Sequence, residues 1–522
     1  MARKIRSKNT TFLASLTAIL LTAAMPASAD VLYVDAESTA STMDGLSWST
    51  AFDDLQDALA AAHDSSVVHV IRIADGIYNP HATNRAISFE LVDDVAIEGG
   101  YVGISGIDPD ERDWDLYPTI LSGELSTTEM FDNSYHVITC DSTVTTTLEG
   151  LTITRGNADG SGADKSGGGI RNGYYDGGTT PGGTLTLGHC IFTGNYAQES
   201  GGGMSNVGNP ATLSLCTFTD NQADGPVGQL GGGAFYNRWN RVADDTNSSF
   251  TDCTFENSDA GNGAAVWSAG AVTMSFMRCT FDQNDAGHHG AGIYTGDSAG
   301  AIINECNFTN NTALCGGAVR LGGISTQAST VDNSTFTSNS VTGTGGAGEG
   351  GAIWSLGFLD VGTSTFTANT ATVQGGAIHI ADTAPTKIEA CIFTANTAGQ
   401  SGGAVFEDNN DKIITYINSL FDANTASGLA SSGYGGGAIL SKGHTGANFI
   451  NCTFVNNKAI GGQGGGIRIL ALKNPNVTNC IFWDNGDGSG GTTQDESAQI
   501  FLGAGAVPVV TNCTIEGCAD PG

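Results

Sequence analysis

The sequence predicts an all-β solenoid in which short parallel strands stack coil upon coil. Three observations lead to this fold class: a short phrase recurs every 26 to 37 residues, it alternates as a strand does, and no copy leaves room for a helix. A period of roughly 20–50 residues is typical of stacked folds, because one copy cannot bury its own apolar face. The phrase is Cys-x-Phe-x-x-Asn followed by Gly-Gly-Ala-Ile, and its phenylalanines are Phe192, Phe218, Phe255, Phe281, Phe308, Phe336, Phe366, Phe393, Phe421, Phe454 and Phe482.

Each residue of the repeated phrase has a predicted position in the coil. Cys216 and Phe218 are two apart, so both face the same side of a strand. The apolar Leu213 lies three before the Cys, and this odd offset predicts a bend or bulge between them. Asn221 is expected to mark a turn, because Asn tolerates left-handed backbone, and stacked Asn amides can bond one another along the axis. Only the third copy differs, with Ser258 in the Asn position.

Gly-Gly-Ala-Ile is predicted to begin a further strand whose Ile, Val or Met faces inward. Strands that recur in the same direction form parallel sheets, and right-handed connections are the default between them. The sequence therefore predicts a right-handed parallel β-helix of about a dozen coils. Regular coils are expected in residues 151–522, and a cap with irregular first coils in residues 30–150.

The two ends of the solenoid differ in the sequence. Residues 49–62 are predicted to form an amphipathic helix that caps the first coil, with Thr50 and Asp53 resembling a capping box. Its apolar side chains recur at helical spacing and are Phe52, Leu55, Leu59 and Ala62. A last strand at residues 510–515 leaves an edge for which the sequence shows no such cover.

The cysteines follow the repeat. Three copies have serine in the same position, which indicates that this position requires a small side chain. We therefore predict a column of packed thiols. Disulfides between neighbouring coils are the alternative, because strand spacing falls within disulfide reach. No Cys-x-x-Cys pair supports a zinc site. Of twelve cysteines, the nine in this position are Cys190, Cys216, Cys253, Cys279, Cys306, Cys391, Cys452, Cys480 and Cys513, and the serines are Ser334, Ser364 and Ser419.

Residues 1–29 are predicted to be a signal peptide. Four cations precede the apolar stretch Phe12–Ala24, and Ala27-Ser28-Ala29 has the form of a cleavage site, so the mature chain would begin at Asp30. This stretch is too short to cross a bilayer, and no later apolar run reaches about 20 residues. We expect an exported protein without a transmembrane segment.

The composition excludes one class of partner. The formal net charge is −33, which repels phosphate backbones, so nucleic acid is not an expected partner. Charged residues make up only 14% of the chain, and glycine accounts for 75 of 522 residues. This composition suits a polar stacked sheet.

The repeats resemble a known family. Phe-x-x-Asn alternating with Gly-Gly-Ala-(Ile/Val/Leu) resembles the polymorphic outer membrane protein repeat of chlamydial autotransporter adhesins. Segments of the first 160 residues resemble secreted bacterial β-helix proteins: Tyr33-Val34-Asp35, Gly45–Leu59, Gly99-Gly100-Tyr101, Pro118–Gly123 and Leu148–Ala158. The resemblance implies a pectin-lyase-like fold, a place outside the bacterial cell or at its outer membrane, and adhesion as the role. The family's membrane anchor has no counterpart after residue 515, so anchoring would need a further C-terminal region or a partner.

The residue that follows the inward Ile, Val or Met of each copy is expected to point outward. We predict that these residues form a stripe of exposed aromatic side chains, interrupted by Arg320 and His379. The favoured interpretation is that large side chains shield a flat sheet and stack on one another. The alternative is that the stripe stacks sugar rings or anchors a protein partner. The candidate ligand-binding residues are Tyr236, Trp267, Tyr294, Trp354 and Phe406.

An enzymatic function was weighed against this. A polysaccharide lyase or glycoside hydrolase needs convergent carboxylates, or a basic residue beside Ca²⁺. The acidic segment with Asp108, Asp110 and Asp113 is best explained as a solvated loop; these three residues are the Ca²⁺ candidates, and no other cofactor is predicted. His288-His289-Gly290 is similar to the His-Gly of polygalacturonases, but the other elements of that family are missing. The paired carboxylates Asp244 and Asp245 have no base nearby.

The sequence thus favours a non-catalytic, exported β-helix in adhesion or in envelope and glycan contact. The alternative of a polysaccharide lyase or glycoside hydrolase stays open, as does a purely structural spacer.

Overall fold

The structure of the protein is a computed structural model. It describes residues 30–64, 68–125, 130–140, 144–175, 179–225, 231–238, 247–270, 272–296, 299–323, 329–344, 347–381, 386–408, 413–428, 434–442, 447–470, 474–488 and 496–517. The predicted signal peptide, residues 1–29, lies outside these ranges, as do Asp244 and Asp245.

Four long sheets run the length of the described chain, and we number them in the order in which each coil meets them. Sheet 1 has sixteen strands: Asp30–Val34, Val68–Ala74, Ala96–Tyr101, Thr145–Glu149, Thr184–Gly188, Ala211–Ser214, Ser249–Thr251, Thr273–Met277, Gly300–Asn304, Ser329–Asp332, Leu359–Gly362, Thr386–Glu389, Ile414–Ile417, Asn448–Ile450, Asn476–Thr478 and Val509–Thr511. Sheet 2 has fifteen strands and carries the phenylalanines: Gly76–Tyr78, Thr119–Ser122, Leu151–Thr154, Ile191–Thr193, Thr217–Thr219, Thr254–Glu256, Thr280–Asp282, Asn307–Thr309, Thr335–Thr337, Thr365–Thr367, Ile392–Thr394, Leu420–Asp422, Thr453–Val455, Ile481–Trp483 and Thr514–Ile515.

Sheets 3 and 4 complete the coil. Sheet 3 follows the asparagine and has twelve short strands: Asn157–Ala158, Tyr196–Ala197, Gln222–Ala223, Asp259–Asn262, Asp285–His289, Thr312–Ala313, Ser340–Val341, Thr370–Ala371, Thr397–Ala398, Thr425–Ala426, Lys458–Ala459 and Gly486–Asp487. Sheet 4 follows Gly-Gly-Ala and consists of Phe89–Glu90, Ile138–Cys140, Ile170–Tyr175, Met204–Val207, Phe235–Arg238, Val266–Ala269, Ile293–Thr295, Val319–Leu321, Ile353–Ser355, Ile378–Ile380, Val405–Glu407, Ile439–Ser441, Ile467–Ile469 and Ile500–Leu502, with Thr179–Pro181 antiparallel to Ile170–Tyr175.

The chain visits the four sheets in turn and returns to sheet 1 one coil further along. Equivalent residues of successive coils pair in parallel and in register, as Phe192 does with Phe218 and Met204 with Phe235. This topology confirms the predicted right-handed parallel β-helix. In the ranges above, no helix combines the length and hydropathy needed to cross a bilayer.

The corners on either side of sheet 2 use left-handed backbone. The residue before the Cys or Ser has positive φ, for example 54° at Leu215, which is the bend expected from the odd offset. At the next corner, the left-handed residue lies one position earlier than the predicted asparagine. Asp220, directly before Asn221, has φ of 54°, whereas Asn221 itself is buried and is absent from the left-handed residues.

The phenylalanines of sheet 2 form a continuous stack inside the coils. From Phe192 to Phe482 the ring centroids of neighbours lie 4.4 to 5.1 Å apart with planes within 10° of parallel. They belong to one apolar core that runs from Leu32 to Phe482. The inward placement predicted for this position is confirmed, and it makes the core nearly one-dimensional.

The surroundings of the cysteine position explain why it accepts either cysteine or serine. Cys190 Sγ donates to the carbonyl oxygen of Gly188 at 3.4 Å, and Ser334 Oγ donates to that of Asp332 at 2.7 Å. Both side chains therefore satisfy the same local acceptor, two residues earlier in the chain. Eleven cysteines are free thiols in the structure, and Cys518 lies outside the described residues.

The asparagines form the predicted ladder of side-chain amides. Asn369 is typical: its Nδ2 donates to Asn396 Oδ1 at 3.0 Å and to the carbonyl of Phe336 at 2.9 Å, and its Oδ1 accepts from Asn339 Nδ2 at 3.0 Å. Each amide thereby links three coils. The ladder is broken at Ser258, whose backbone N–H nevertheless donates to the amide of Asn284.

Short helices lie at both ends. The N-terminal helix spans Leu55–His63, later than predicted, after a 3-10 turn at Trp48–Thr50. Asp54 caps it by accepting from the N–H of Gln56 at 2.9 Å, so the predicted capping box of Thr50 and Asp53 is wrong. The side chains that the helix buries in the core are Leu55, Ala58, Leu59 and Ala62.

At the other end, the four-residue helix Glu496–Gln499 lies against the last coils. Gln499 is buried and accepts from Asn485. This helix is a partial cover that the sequence analysis missed. The final sheet 1 strand, Val509–Thr511, stays exposed along its whole length.

Candidate functional site

The outward residues of sheet 4 form one register-locked column, which we call the sheet 4 column. Tyr236 pairs with Trp267, Trp267 with Tyr294, and Tyr294 with Arg320. The same pairing continues to the end of the sheet. The column comprises Arg171, Ser205, Tyr236, Trp267, Tyr294, Arg320, Trp354, His379, Phe406, Leu440, Arg468 and, one coil beyond the predicted members, Phe501.

The side chains of the column stack on one another. The rings of Tyr236 and Trp267 stack with nearly parallel planes and centroids 4.6 Å apart, and Tyr294 stacks on Trp267 at 6.0 Å. The guanidinium carbon of Arg320 then lies 4.7 Å from the ring centroid of Tyr294 and 4.9 Å from that of Trp354. Both faces of this cation are therefore covered by aromatic rings, an arrangement favoured by cation–π attraction.

Exposure along the column differs from the prediction. Tyr236, Trp267 and Phe406 are only 3%, 6% and 1% exposed, so the expectation of an exposed aromatic stripe is wrong for these three. Trp267 stacks between Tyr236 and Tyr294, and both Tyr236 and Trp267 pack with Val207. Phe406 stacks on His379, and Lys442 Nζ lies over its ring, 5.1 Å from the centroid.

Tyr294, Arg320 and Trp354 remain partly exposed. We call these three residues the window. They are consecutive in the column, so the accessible part of the predicted stripe is a short segment near the middle of the solenoid, centred on a cation rather than on an aromatic ring.

Arg320 has no carboxylate partner in the described part of the chain. One guanidinium nitrogen, Nη1, donates to the carbonyl oxygen of Thr295 at 3.2 Å. The remaining guanidinium nitrogens are not among the buried atoms that lack a hydrogen-bond partner, so they face solvent. The window thus presents the edge of a positively charged fork between two rings.

His289 lies on one flank of the window. Its ring centroid is 6.2 Å from that of Tyr294, and its Nδ1 is buried without a hydrogen-bond partner. Burial, helped by the charge of Arg320, lowers the pKa of His289 to about 4. The imidazole is therefore neutral at neutral pH, and Arg320 is the cation at this end of the window.

Glu349 lies on the other flank. Its Oε2 accepts from Trp354 Nε1 at 3.2 Å and is 3.5 Å from Nε2 of the buried His379. Burial raises the pKa of Glu349 and lowers that of His379 to about 3, so the contact does not hold two full charges at neutral pH. The charge of Asp408, which is paired with Lys442 at 3.2 Å, also raises the pKa of Glu349.

Glu349 was not singled out by sequence reasoning, although a signal existed. It directly precedes Gly350-Gly351, and the residues before each Gly-Gly form a ladder of their own, in which Glu349 pairs with Gln374 and Gln374 with Ser401. Aligning the copies on this second position would have placed Glu349 beside the outward column.

The N-terminal end of the column is closed by internal pairing. Arg171 Nη1 lies 3.0 Å from Asp164 Oδ1 and 3.0 Å from His136 Nε2. His136 is buried, and burial lowers its pKa. The cavity beside these residues, about 40 Å³ and lined in part by Tyr174 and Tyr236, is too small for a sugar ring.

The acidic residues proposed for Ca²⁺ are engaged within the protein. Asp110 Oδ1 accepts from Arg72 Nη1 at 2.9 Å and from Trp48 Nε1 at 3.1 Å. Asp108 and Asp113 accept from backbone N–H groups two or three residues later. In the ranges that the structure describes, no group of three or more His, Cys, Asp or Glu is arranged to hold a metal ion. Calcium binding stays a prediction.

Comparisons with known proteins identify the fold. Residues 269–442 match the family described as "Right handed beta helix region". No curated protein matches the chain in sequence. Among solved structures, it is similar to pectin methylesterase PemA from Erwinia chrysanthemi, with 12% identity over 59% of this chain and 78% of that one, and a TM-score of 0.25.

Two further structures are similar at the same low level. The A-module of mannuronan C-5 epimerase AlgE4 from Azotobacter vinelandii is 12% identical over 94% of this chain and 98% of that one, with a TM-score of 0.23. The lacto-N-biosidase GH136 from Eubacterium ramulus is 10% identical over 93% and 68%, with a TM-score of 0.27. The chain is a right-handed parallel β-helix, and over residues 269–442 it is similar to the right-handed β-helix family.

Proposed function

We propose that this protein is an exported β-helix that contacts glycans through the window of Tyr294, Arg320 and Trp354, without a catalytic step. The observation that carries the proposal is the pair of partly exposed rings held 4.7 and 4.9 Å from one guanidinium. Both rings are stacked on both faces inside the column, Tyr294 between Trp267 and Arg320, and Trp354 between Arg320 and His379. Their exposed edges would contact the sugar, and the arginine between them supplies hydrogen-bond donors.

The window is also pre-organised. Sheet register fixes the spacing of the three side chains, because Arg320 pairs with Tyr294 on one strand and with Trp354 on the next. Ordering such long side chains normally costs about 0.5–1.5 kcal/mol each when a ligand binds. Here the side chains are already ordered by folding, so ligand binding loses little further conformational entropy, which supports a binding role.

Export is part of the proposal and rests on the sequence. The cationic start, the apolar stretch Phe12–Ala24 and the small-residue site Ala27-Ser28-Ala29 support a signal peptide. We propose a secreted or bacterial cell-surface location and a role in adhesion or envelope contact, in line with the resemblance to polymorphic outer membrane protein repeats. Attachment to the surface would use a partner or a further C-terminal region.

The test is a glycan array and a cell-binding assay with the mature protein and Trp354→Ala. We expect the variant to lose most of the signal, because one wall of the window is removed. Trp483→Ala is the matched control, since Trp483 is 51% exposed on sheet 2, away from the window. Unchanged binding by Trp354→Ala would contradict the proposal.

A glycoside hydrolase or polysaccharide lyase is the second candidate, favoured by one observation. Glu349 is a half-buried carboxyl group whose pKa is raised by burial and by the charge of Asp408, which suits a general acid beside a second carboxylate. Incubation with a panel of acidic and neutral polysaccharides, with and without Ca²⁺, tests it. Products that disappear with Glu349→Gln would favour this candidate over the non-catalytic one.

A further inference from the structure

Arg320 differs in charge pairing from most of the described arginines. The chain has 53 acidic residues against 20 Lys and Arg. Six of the nine arginines in the described ranges form ion pairs with carboxylates, namely Arg72, Arg85, Arg112, Arg155, Arg171 and Arg278. Arg320 forms none within the described residues, although it is partly buried, where an unpaired charge is costly.

The surroundings of Arg320 show how a ligand would meet it. Its two faces are occupied by Tyr294 and Trp354, and Nη1 is used by the carbonyl of Thr295. What remains is the edge of the guanidinium, with N–H donors lying in one plane. A planar fork of donors matches the two oxygens of a carboxylate better than it matches a single hydroxyl.

We infer that the window binds the carboxylate of an acidic sugar, with Arg320 as the residue that holds the carboxylate and the exposed edges of the Tyr294 and Trp354 rings against the sugar. This inference rests on the proposed glycan contact and names its ligand class.

Two further groups shape the specificity of the window. The hydroxyl of Tyr294 has no hydrogen-bond partner among the described residues, so it is free to bond a sugar hydroxyl. Glu349, on the far side of Trp354, accepts from the indole N–H and holds that ring in place. Uronates and sialates both carry the required carboxylate beside a sugar ring, and the experiment separates them.

The experiment measures the affinity of the mature protein for paired ligands by calorimetry and by the intrinsic fluorescence of its tryptophans. One pair is oligogalacturonate and its methyl ester, and the other is sialyllactose and lactose. We expect an acidic member to bind about 10- to 100-fold more tightly than its neutral partner, the range that a charged hydrogen bond contributes. The ligand pair that shows this preference indicates whether the sugar is a uronate or a sialate.

Variants separate this inference from the function on which it rests. Arg320→Gln keeps a polar but shorter side chain without the charge and should remove the preference for the acidic ligand, while Arg320→Lys should restore it only in part. Arg278→Gln, at an arginine paired with Asp252, is the control and should change nothing. Melting temperatures verify that each variant is folded.

The outcomes are distinct. Equal affinity for acidic and neutral ligands, or a preference that survives Arg320→Gln, overturns the carboxylate inference but leaves glycan contact standing. A folded protein that binds no glycan of any kind overturns both.

Discussion

Nδ2 of Asn485 donates to Oε1 of Gln499 at 2.7 Å, and this bond closes the asparagine ladder at its C-terminal end. From Asn284 onward every ladder amide donates to the next coil, at 2.9 to 3.0 Å. Without Gln499 the last amide would keep a buried donor with no partner, which costs about 1–3 kcal/mol.

Replacing an inner rung of the ladder should destabilise the whole solenoid. Asn369→Ala would leave the carbonyl of Phe336 and the amide of Asn339 without their partners, so we expect a loss of about 3 kcal/mol in the free energy of unfolding. A downward shift of the urea midpoint measures it. The exposed neighbour Thr370, replaced by Ala, should change stability by less than about 0.5 kcal/mol. Similar midpoints for the two variants would contradict this account.

Removing the end of the ladder should have a local effect instead. In Gln499→Ala, we expect faster hydrogen exchange in the last coils, around Asn485, and unchanged protection at Asn369, because each coil contacts only its neighbours. Exchange followed by mass spectrometry resolves the two regions. Gln463→Ala, at an exposed glutamine, is the control. Uniform loss of protection along the chain would show that Gln499 is not a local cap.

The Cys or Ser position should accept one substitution and reject another. Cys279→Ser is expected to change the free energy of unfolding by no more than about 1 kcal/mol, because Ser334 makes the equivalent bond to the carbonyl two residues earlier. Cys279→Leu should cost about 1–3 kcal/mol by overpacking the column. Denaturation midpoints measured with a reductant present compare the two. An equally large loss with serine would mean that the position requires sulfur.

Acid should weaken the fold partly through His379. Its pKa is about 3 in the folded protein against an ordinary value near 6.5, so the unfolded chain binds the extra proton, and stability falls as the pH drops from about 6.5 towards 3. His379→Phe keeps a ring between Trp354 and Phe406 and should flatten this part of the pH profile of the melting temperature.

The same substitution at the exposed His63 should leave the pH profile unchanged. Parallel profiles for the protein and its His379→Phe variant would show that another group causes the loss of stability in acid.

Residues whose role follows from repetition were predictable from the sequence. The inward Phe, the small Cys or Ser and the bonded Asn recur in equivalent environments, so their periodicity defines both sheet and face. The left-handed corner was misplaced by one residue because the position before the Asn varies in type: it is Asp220 in one copy and Ala368 in another. Its conformation is imposed by the coil rather than by the side chain.

The site was predictable only in outline. The column was found from the alternation of sheet 4, but exposure depends on covering groups such as Lys442 over Phe406, which no repeat specifies. Arg320 looked like an interruption of an aromatic row and proved to be its accessible centre. Gln499 gave no signal at all, because it belongs to a helix that occurs once.

The direction of the asparagine bonds has a consequence for the size of the molecule. Every coil from Asn284 to Asn485 offers the same acceptor to the coil before it and the same donor to the coil after it, so the ladder makes the same junction between any two adjoining coils. At the level of this ladder, a whole coil outside the window can be duplicated or deleted without creating a new kind of junction. The length of the rod is an adjustable property, and the distance from the window to either end can change while the window itself stays the same.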